Sequence, residues 1–519
     1  MPKTTTADIP PIKDISTIAA ENNPERVAGA NGLDGSTVTW AEFDERSQRI
    51  ANAFSTYVTQ GDRIAFLCEA SVEHHILWNG ALKTGGIVSN LHTRASNRAL
   101  EECFRTIKPR ILIIDPEYSE YAAEHVIGNP AFGVEVVITT GTAHYDHEQE
   151  AATLRTEFDP DEPDVQVGED DIAVVQWTSG TTGAPKGWAL SNKALAMRGM
   201  KLANKKQFSR LTKVANIFTP SFSAWYSTAI PAMLANAGMY FQPDWDPEGY
   251  LELVEQRELT STNLVPTMWR EILRVEELDA YDLSSFEKIE VGGETLDRTT
   301  LERLHEHICD TVTQSYAATE IVGTSMSSKE MEGNRIDSVG KPLMGTQIRV
   351  IERSGAPTDV KSPGDIGEVI VKGSDAASWV WGNTEKTRES FTDGWWYSGD
   401  LGYKDEAGYL FIEGRVDNMI LSKGIKVFPT PVEERLNDHP EVIESAVIGM
   451  DDDEYGQKVT AFVRPKSPDL TADELDQWCL DSDTLARIER PRDYRFRDGT
   501  FPRTSSGKLN RNELVDDGA

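Results

Sequence analysis

The sequence predicts an α/β fold, with a large N-terminal domain of layered α/β subdomains and a small C-terminal α+β domain. Short apolar runs alternate with helical patterns up to about residue 400, and this alternation is typical of layered α/β architecture. From 339 to 371 the pattern becomes alternating and rich in turns, which predicts a small β unit within the large domain. The length of 519 residues also exceeds what one hydrophobic core supports, so the chain should divide into domains.

The first elements form a series of predicted strands around one helix. Residues 72–83 have the spacing of apolar side chains that is typical of a helix. Short apolar runs before and after this helix predict strands at 63–68, 86–90, 110–114 and 134–139. Their order predicts a first α/β layer.

A polar, acidic stretch at 148–171 separates this layer from a second series of elements. In the second series, the spacing of apolar residues predicts helices at 192–204 and 228–235. Apolar runs predict buried strands at 172–175, 261–265, 289–292 and 312–316. The α/β pattern therefore continues beyond the acidic stretch.

A domain boundary is predicted near Asp417. The segment Gly-Arg-Val-Asp-Asn at 414–418 precedes a compact βαββ-like pattern, with a predicted helix at 432–436. Strands are predicted at 446–450 and 459–463. The predicted domains are therefore residues 1–416 and residues 417–519.

The acidic composition argues against nucleic acid or an anionic membrane surface as the main partner. The formal net charge is −33, so both would be repelled, whereas 39% apolar and 26% charged residues are ordinary for a soluble globular protein. The acids are scattered along the chain rather than gathered in one tail. We therefore expect a solvated, acid-rich surface, and hypothesise that the protein works at high salt, where screening removes the self-repulsion.

Cysteine usage and hydropathy predict a soluble, cytoplasmic protein. The cysteines lie far apart and in no CxxC pair, which predicts isolated buried thiols in a reducing compartment. They are Cys68, Cys103, Cys309 and Cys479. The start of the chain lacks the apolar region of a signal peptide, and no run approaches the roughly eighteen apolar residues of a membrane span. His74 and His75 are expected to lie on a helix surface or to have satisfied hydrogen bonds.

A glycine-rich loop follows the predicted strand at 172–175. Its sequence, Thr-Ser-Gly-Thr-Thr-Gly-Ala-Pro-Lys at 178–186, combines hydroxyls, glycines and one ammonium group. Glycine lets backbone N–H groups turn toward an anion, and the hydroxyls and the lysine complete a phosphate cradle. The pattern differs from a Walker A loop, which ends in Gly-Lys-Ser/Thr. A surface linker is the alternative, but the strand before the loop and the apolar segment 188–190 after it disfavour this.

Three later motifs carry charged residues, each with an ordinary structural alternative. The first ends a predicted strand and has the sequence Gln-Ser-Tyr-Ala-Ala-Thr-Glu at 314–320. A carboxylate and a hydroxyl at this position are suited to bind a hard cation and a phosphate oxygen, and the alternative is an ordinary surface loop.

The second motif places Asp400 in a tight turn after three aromatic residues, where its carboxylate is suited to bind vicinal hydroxyls such as those of ribose. Arg415 offers a fixed cation, and the alternative is a salt bridge within the turn. Lys508 stands on a Ser-Ser-Gly tip near the terminus, and a frayed basic tail is the alternative.

Taken together and in this order, the motifs resemble those of the adenylate-forming superfamily of acyl-CoA synthetases, aryl-CoA ligases, luciferases and peptide-synthetase adenylation domains. The resemblance covers residues 62–511. Softer signatures extend it: Tyr-Asp-Leu-Ser-Ser at 281–285, Gly-Gly-Glu at 292–294, Ser-Val-Gly-Lys-Pro at 338–342 and Phe-Thr-Asp-Gly-Trp-Trp at 391–396. Each motif alone is weak, whereas the ordered set is highly specific.

The resemblance implies a set of ATP-binding residues. The glycine-rich loop would wrap the β- and γ-phosphates of ATP through Thr178, Ser179, Gly180, Thr181, Thr182, Gly183 and Lys186. The other implied contacts are Gly293 and Tyr316 flanking the adenine, Thr319 at the α-phosphate, Asp400 with Arg415 at the ribose, and Glu294 as a further ATP-binding residue.

The resemblance also implies the catalytic groups and a movement. Glu320, together with Thr181, would hold Mg²⁺, and Lys508 would bridge the substrate carboxylate and the α-phosphate. After adenylation the small C-terminal domain would rotate about a hinge at Asp417. This rotation would withdraw Lys508 and bring the loop of Lys423 and Gly424 to the site, where the thiol of coenzyme A attacks.

The region that would form the acyl pocket departs from the family pattern. Pro-Ser-Phe-Ser-Ala-Trp at 220–225 stands where the family commonly has Phe-His followed by small residues, which leaves the substrate open. Trp225 either narrows the pocket or packs in the core. By position, the expected pocket walls are Phe222, Ser223, Trp225, Val265 and Gly292.

The predicted function is that of an acid–CoA ligase, in which a small-molecule carboxylic acid of any chain length, ATP and CoA give acyl-CoA, AMP and pyrophosphate. One alternative loads the thiol of a carrier protein in trans, because no carrier domain is found before Ala519. A second alternative is a non-catalytic nucleotide-binding relative. The sequence leaves the acid and the oligomeric state open, a homodimer included.

Overall fold

The computed structural model describes residues 10–33, 35–161, 163–178, 185–242, 244–294, 296–331, 335–482, 485–503 and 509–516. The chain divides into two compact units. The large unit comprises Met1–Gln347 and Val371–Trp396, and the small unit comprises Ile348–Ile370 and Tyr397–Ala519.

The strands account for most of the elements in both units. In chain order they are β1 Val27–Asn31, β2 Val38–Thr39, β3 Arg63–Leu67, β4 Ile87–Asn90, β5 Ile111–Ile114, β6 Val136–Thr139, β7 Glu148–Glu150, β8 Ile172–Thr178, β9 Lys186–Ser191, β10 Lys213–Asn216, β11 Gly238–Phe241, β12 Ser261–Leu264, β13 Lys288–Gly292, β14 Val312–Ser315, β15 Thr324–Ser327, β16 Ser338–Pro342, β17 Thr346–Ile351, β18 Gly367–Gly373, β19 Trp379–Val380, β20 Phe391–Thr392, β21 Trp395–Lys404, β22 Leu410–Arg415, β23 Ile420–Ser422, β24 Ile425–Val427, β25 Val442–Asp452, β26 Gly456–Pro465 and β27 Asp493–Phe496.

Helices alternate with these strands. They are α1 Ile15–Asn22, α2 Trp40–Phe54, α3 Val72–Lys83, α4 Asn97–Ile107, α5 Ser119–Tyr121, α6 Ala151–Glu157, α7 Asn192–Lys206, α8 Ser223–Ala235, α9 Pro247–Arg257, α10 Pro266–Ile272, α11 Arg298–His307, α12 Thr384–Ser390, α13 Pro429–Asn437, α14 Ala472–Leu480 and α15 Arg511–Asp516. Short 3-10 turns occur at Ile12–Asp14, Pro116–Tyr118, Leu278–Ala280, Ser328–Glu330 and Val416–Asn418, and a π-helical turn at Ala122–Val126. Among the described residues, no helix is both long enough and apolar enough to cross a bilayer.

Two sheets organise the large unit. In one the order is β16-β15-β14-β13-β12-β10-β11-β1-β2, and the neighbours from β14 to β1 are parallel. In the other the order is β19-β9-β8-β4-β3-β5-β6-β7, and the neighbours from β8 to β7 are parallel. The predicted α/β class is confirmed. Because parallel neighbours end at the same edge of a sheet, the loops after β13 and β14 lie side by side, as do those after β3, β4 and β8.

Several predicted elements are confirmed closely. The helix predicted at 72–83 is α3, whose first turn is capped by Ser71 Oγ accepting from the N–H of His74 at 3.0 Å. The acidic stretch 148–171 was predicted only to separate two series of elements, but it also contains β7 and α6. Only Ala151 and Leu154 of α6 are buried, and a helix with so small an apolar face gives little signal in the sequence. The cysteines are all buried, as predicted.

Aromatic rings and two histidines lie at the centre of the core of the large unit. Trp225 of α8 has no exposed surface, and its ring centre lies 5.5 Å from that of Trp78 and 5.6 Å from that of His75. His74 and His75 are both buried, so a position on the helix surface is excluded. His74 Nε2 lies 3.1 Å from Asn90 Oδ1, whereas its Nδ1 has no partner in the described part of the chain. Burial lowers the pKa of His74 to about 4 and the pKa of His75 to about 3.

The small unit contains the predicted C-terminal α+β pattern. Strands β17, β18, β21 and β22 are neighbours in that order. A further sheet has the order β24-β23-β26-β25, with β27 parallel to β26, and packs its apolar side chains with those of α13 and α14. The predicted helix at 432–436 lies within α13, and the predicted strands lie within β25 and β26. Asp417 lies between these two groups of strands, and its role as a domain boundary stays a prediction.

Candidate active site

A β-hairpin anchors both ends of the glycine-rich loop. Strands β8 and β9 are antiparallel, and Thr178 is paired with Lys186 at the last register position before the loop. The indole N–H of Trp188 donates to Thr178 Oγ1 at 3.1 Å, and that of Trp177 donates to Ser89 Oγ of the neighbouring strand at 2.8 Å. The hairpin therefore fixes where the loop begins and ends, at the carboxyl edge of the sheet.

The loop residues themselves lie outside the described residues. This applies to the predicted phosphate-binding positions Ser179, Gly180, Thr181, Thr182 and Gly183. Their roles stay predictions that are supported by the anchoring of Thr178 and Lys186.

The predicted adenine-side residues follow two neighbouring parallel strands. Gly292 at the end of β13 is paired with Ser315 at the end of β14, so the segments 292–294 and 316–320 leave the sheet together. Gly293 has φ of +89°, in the left-handed region that favours glycine. A Cβ there would lie 3.5 Å from Val265 Cγ1, an ordinary van der Waals contact, so the backbone conformation rather than lack of space favours glycine. The sequence thus brings a sharp backbone turn and the Tyr316 segment to the same edge.

Tyr316 begins a tight, self-bonded turn. Its carbonyl accepts from the N–H of Gly323 at 3.1 Å and from the N–H of Thr324 at 2.9 Å. Gly323 lies under the ring, because a Cβ at this position would come within 3.0 Å of Tyr316 Cδ1. Within the turn, the N–H of Ala318 donates to the carbonyl of Ile321 at 2.9 Å. The half-buried side chains of Thr319 and Glu320 therefore stand on a closed loop rather than on a frayed strand end.

Glu294 makes contacts of its own at the same edge. Its Oε2 accepts from Thr267 Oγ1 at 2.8 Å and lies 3.7 Å from Arg270 Nη2. The pair is solvent-exposed, so it contributes little to stability. Glu294 stays a prediction as an ATP-binding residue.

A buried charge cluster supports the ends of β13 and β14. Glu290 accepts from Lys205 Nζ at 2.5 Å and from Ser315 Oγ at 2.7 Å, and Lys206 Nζ lies 3.1 Å away. Burial alone would raise the pKa of Glu290, but the two lysines outweigh it and lower that pKa well below its ordinary range. Glu290 is therefore ionised, and it ties Ser315 to α7.

Glu69 links the carboxyl ends of the two sheets of the large unit. This residue follows β3; its Oε1 accepts from Thr93 Oγ1 at 2.6 Å, and its Oε2 accepts from Thr219 Oγ1 at 3.2 Å. Thr93 follows β4 of the same sheet, whereas Thr219 follows β10 of the other. The two predicted ligand-binding edges thus meet in one region of the large unit. The sequence did not single out Glu69, because a single acid after a strand carries no distinctive pattern.

The predicted acyl-pocket residues separate into two groups. Phe222, Ser223, Val265 and Gly292 are partly exposed, and the ring of Phe222 lies 4.7 Å from that of His92. Trp225 has no exposed surface and packs in the aromatic core, so its assignment as a wall of an open pocket is corrected. A tryptophan at the start of an apolar helix buries more area in a core than at a pocket rim, so Trp225 packs in the core rather than narrowing the pocket.

Three side chains that the sequence did not single out lie behind Thr319 and Glu320. Arg198 and Lys201 of α7 and Asp375, which follows β18, are all buried. Arg198 Nη2 donates to the carbonyl of Thr319 at 3.0 Å, and Lys201 pairs with Asp375. Burial lowers the pKa of Arg198, although Asp375 and Glu320 counteract this. Sequence reasoning missed this cluster, because the burial of Arg198 and Lys201 is visible only in the structure.

In the small unit, Asp400 and Arg415 form a pair across two strands. They are register partners in β21 and β22, and Arg415 Nη1 lies 3.0 Å from Asp400 Oδ1. Arg415 Nη1 also donates to the carbonyl of Ser398 at 3.0 Å, and the N–H of Asp400 donates to Ser398 Oγ at 2.9 Å. Gly399 has φ of +70° and lies against the guanidinium. The carboxylate that was predicted to hold ribose hydroxyls is thus rigidly oriented by its predicted partner.

The predicted hinge and thiol-side loop lie further along the small unit. Asp417 is exposed, with its Oδ2 3.7 Å from Arg415 Nη2. Lys423 and Gly424 form the two-residue turn between β23 and β24, with φ of +48° and +77°. Positive φ at both central positions is characteristic of a type I′ hairpin turn. Lys423 Nζ lies 2.6 Å from Glu454 Oε1, and this hydrogen bond raises the pKa of the lysine.

Lys508 lies outside the described residues, but the chain on both sides of it is ordered by pairing. Arg503 and Leu509 form an antiparallel bridge, and the N–H of Asn510 donates to the carbonyl of Pro502 at 2.8 Å. Phe501 is buried together with Leu514 of α15. The tip that carries Lys508 therefore starts and ends at fixed points, as does the glycine-rich loop.

The large unit thus has two mainly parallel sheets, with a glycine-rich loop and a hydroxyl–carboxylate loop following strands at their carboxyl edges, an arrangement typical of α/β nucleotide-binding proteins. Comparison with known families shows which one. The chain matches the model of the AMP-binding enzyme family over residues 17–381 and that of the AMP-binding enzyme C-terminal domain over residues 431–508. The chain belongs to the AMP-binding enzyme family, the adenylate-forming enzymes that its motifs resemble.

Individual relatives agree with this family. The chain is 29% identical to a feruloyl-CoA synthase from Amycolatopsis over 95% of this chain and 96% of that protein. It is 28% identical to the fatty acid–[acyl-carrier-protein] ligase ScoC from Streptomyces coeruleorubidus over 93% of this chain and 92% of that protein. Among solved structures, ATP-bound MatB from Rhodopseudomonas palustris is similar, with a TM-score of 0.87 and 26% identity over 97% of this chain and 98% of that one.

The family and the relatives establish the class of reaction. The chain is an AMP-forming acid–thiol ligase that uses ATP. The relatives differ in the acid and in the thiol named for them, so the particular substrates of this chain are not fixed by similarity.

Proposed function

We propose that the protein is an acid–CoA ligase. A carboxylate oxygen of the acid attacks the α-phosphorus of ATP, which gives an acyl-adenylate and releases pyrophosphate. The thiol of CoA then attacks the acyl carbon and gives acyl-CoA and AMP. The observation that carries this proposal is the register of β13 and β14, which places the Gly292–Gly293 turn beside the Tyr316–Glu320 loop in a chain of the AMP-binding family.

The first step has an electrostatic problem, because a carboxylate must approach an anionic phosphate. Lys508 is proposed to reduce this repulsion and to stabilise the charge that develops in the transition state. Groups of this kind contribute roughly a hundred- to thousandfold in rate. Lys508 lies outside the described residues, and its role is supported by the match to the C-terminal domain of the family, which extends to residue 508.

The nucleotide is proposed to bind through the residues that the family resemblance implies. In the large unit Thr178 and Lys186, at the fixed ends of the glycine-rich loop, would direct this loop to the β- and γ-phosphates. Gly293 and Tyr316 would flank the adenine, and Thr319 would donate to the α-phosphate. In the small unit Asp400, oriented by Arg415, would accept hydrogen bonds from both ribose hydroxyls.

Glu320 is the proposed ligand of Mg²⁺, together with Thr181 of the loop. A half-buried carboxylate on a closed loop, next to a hydroxyl-rich segment, offers the hard oxygen donors that this ion prefers. When bound, the ion neutralises phosphate charge. The part played by this chain is to hold the Glu320 carboxylate at a fixed position.

Residues 417–519 are proposed to turn about Asp417 between the two steps. Lysine suits the first step because it is a compact point charge on a flexible stem that can be withdrawn. The hairpin turn at Lys423 and Gly424 is the proposed thiol-side loop for the second step. Among the described residues, no atom would lie within 4 Å of a side-chain carbon added at Gly424, which leaves space for a ligand beside this turn.

CoA is the proposed acceptor because the similar protein from Amycolatopsis is a feruloyl-CoA synthase. The similarity to a fatty acid–[acyl-carrier-protein] ligase favours a carrier-protein thiol as the second candidate. The acid is proposed to lie against Phe222, Ser223, Val265 and Gly292. Apolar pockets of this kind distinguish one methylene by only about 1–3 kcal/mol, so these walls do not identify the acid.

The test is a pyrophosphate-release screen with Mg·ATP over short, medium, branched and aryl acids, at low and at molar KCl. Each active acid is then tested with CoA and with a phosphopantetheinylated carrier protein. The proposal expects acid-dependent pyrophosphate release and a thioester of CoA. Thioester on the carrier protein alone would favour the second candidate, and the absence of pyrophosphate with every acid would overturn both.

A further inference from the structure

We propose that Asp375, held in place by Lys201, is a positioning residue that fixes the backbone on both sides of Glu320. The inference rests on the proposed role of Glu320 as the magnesium ligand and goes beyond it, because neither Asp375 nor Lys201 is part of the predicted site. Both residues lie in the large unit. They are separated from each other by 174 positions in the sequence.

Three peptide groups around Glu320 are held by one cluster of residues. Arg198 Nη2 donates to the carbonyl of Thr319 at 3.0 Å. The N–H of Ala377 donates to the carbonyl of Glu320 at 2.7 Å, and the N–H of Val322 donates to Asp375 Oδ2 at 3.0 Å. The peptide groups before and after Glu320 are therefore tied down, and this limits where its carboxylate can point.

Asp375 divides its two oxygens between the loop and a cation. Oδ2 accepts from the Val322 N–H, while Oδ1 accepts from Lys201 Nζ, which also donates to Thr346 Oγ1 at 2.9 Å. The side chain of Asp375 is 0% exposed and that of Lys201 is 1% exposed. With both oxygens engaged, the carboxylate has one orientation, and this orientation sets the position of the Val322 N–H.

The same segment is tied to Arg198 through its backbone. The carbonyl of Asp375 accepts from Arg198 Nη2 at 3.2 Å, and this nitrogen is also the donor to Thr319. One guanidinium nitrogen thus joins the segment 375–377 to the loop 319–322. Arg198 and Lys201 lie one turn apart on α7, so a single helix carries both cations of the cluster.

Stability is a weak explanation for such a pair. Removing two charges from water offsets most of their attraction, and apolar replacements of similar volume are often neutral or stabilising. The best-attested use of buried charges is to fix one arrangement among several. Here the arrangement that is fixed is the loop carrying Thr319 and Glu320.

The test compares two double variants, only one of which keeps a side-chain acceptor for the Val322 N–H. K201M/D375N removes both charges but keeps an amide oxygen that accepts from the Val322 N–H. K201M/D375L has nearly the same volume and lacks this acceptor. Both variants remove the buried ion pair, so a difference between them reports on the hydrogen bond to the Val322 N–H rather than on the loss of charge.

Two measurements are made on each full-length variant. The first is the Mg²⁺ concentration for half-maximal pyrophosphate release with an acid that the native enzyme uses. K201M/D375N should stay within threefold of the native value, and K201M/D375L should need at least fivefold more Mg²⁺, because a buried N–H is left without a partner. Thioester formation from supplied acyl-adenylate should change less than threefold in both variants.

The second measurement is hydrogen–deuterium exchange of the peptide that contains Val322. Exchange should be at least tenfold faster in K201M/D375L than in K201M/D375N. This readout needs no activity, so it separates the two claims. Different exchange with no Mg²⁺ effect would overturn the link to Glu320, and equal exchange would overturn the positioning itself.

If the proposed function itself is wrong, the native enzyme releases no pyrophosphate with any acid, and this result is distinct from a difference between the two variants. If K201M/D375L does not fold, K201M/D375A removes the same acceptor with a smaller side chain and takes its place. Equal Mg²⁺ requirements together with equal exchange in the two variants would overturn both parts of the proposal.

Discussion

Arg415 Nη1 lies 3.0 Å from Asp400 Oδ1, and the two residues are direct register partners in adjacent antiparallel strands. The pairing fixes the orientation of the carboxylate, which is 12% exposed. Under the proposed function, this oriented carboxylate accepts hydrogen bonds from the ribose hydroxyls of ATP.

Replacing Asp400 by Asn should weaken ATP binding. An amide offers one acceptor and no charge, and charge-assisted hydrogen bonds contribute about 1.5–3 kcal/mol, so KM for ATP should rise about tenfold or more. Steady-state kinetics at saturating acid measure this. Asp365→Asn, an exposed acid of the same unit, is the matched control and should leave KM unchanged. An Asp400→Asn enzyme with native KM for ATP would remove this residue from the nucleotide site.

Replacing Lys508 by Ala should abolish adenylation selectively. The cation is needed where the carboxylate meets the α-phosphate, so pyrophosphate release should fall roughly a hundred- to thousandfold. CoA transfer to supplied acyl-adenylate should survive. Lys466→Ala, an exposed lysine of the same unit, serves as the control. Equal losses in both half-reactions would contradict the assigned role.

Replacing Gly424 by Leu should impair the thioester step more than adenylation. The position has φ of +77°, which disfavours an L side chain by about 1–2 kcal/mol, and a branched side chain would cover the proposed thiol approach. Gly424→Asn is the matched control, because Asn tolerates this conformation and is shorter. The two half-reactions are measured separately by pyrophosphate release and by thiol consumption. No selective effect would undo the assignment of this turn.

Stability should fall on mild acidification because of His74 and His75. Their pKa values in the folded protein are about 4 and about 3, below the ordinary 6.5, because burial disfavours the charged ring. The unfolded chain therefore binds protons first, and stability is lost as the pH falls from about 6.5 toward these values. Each pKa unit corresponds to about 1.4 kcal/mol.

The measurement is urea unfolding between pH 7 and pH 5, because in this range the histidines of the unfolded chain take up protons while the buried His74 and His75 stay neutral. The native protein should lose a few kcal/mol across it, and a His74→Gln/His75→Gln variant, starting from lower stability, should show a flatter dependence. His305→Gln, an exposed histidine, should behave like the native protein. Parallel curves for the native and double-variant proteins would show that these histidines do not control the pH dependence.

The melting temperature should rise by several degrees between low salt and molar KCl. A net charge of −33 makes the acid-rich surface repel itself, and added salt screens this repulsion. Sorbitol at matched osmotic strength controls for effects other than screening. A melting temperature that stays constant or falls would contradict the hypothesis of a high-salt working environment.

The sequence predicted those parts of the fold that depend on local pattern. Helix α3 and the strands on either side of it follow from apolar spacing, and the ends of the glycine-rich loop follow from the apolar runs of β8 and β9. Helix α6 was missed because only two of its residues are buried. Local pattern therefore identifies an element only when enough of its residues face the core.

Contacts between residues that lie far apart in the sequence could not be predicted from the sequence. Asp375 and Lys201 meet across 174 positions, and no periodicity connects them. The burial of Trp225 was likewise undecided, since a core and a pocket wall favour the same residue type. Motif order located the site residues along the chain, while the side chains that hold them became visible only in three dimensions.

The most direct test of acyl-adenylate formation uses an acid whose carboxylate carries heavy oxygen. If a carboxylate oxygen attacks the α-phosphorus, the AMP released after thiol attack keeps one heavy oxygen, while pyrophosphate carries none. Mass spectrometry of AMP and pyrophosphate from a complete reaction with Mg·ATP and CoA measures this. Labelled AMP is the expected result, and unlabelled AMP formed together with acyl-CoA would contradict the central claim.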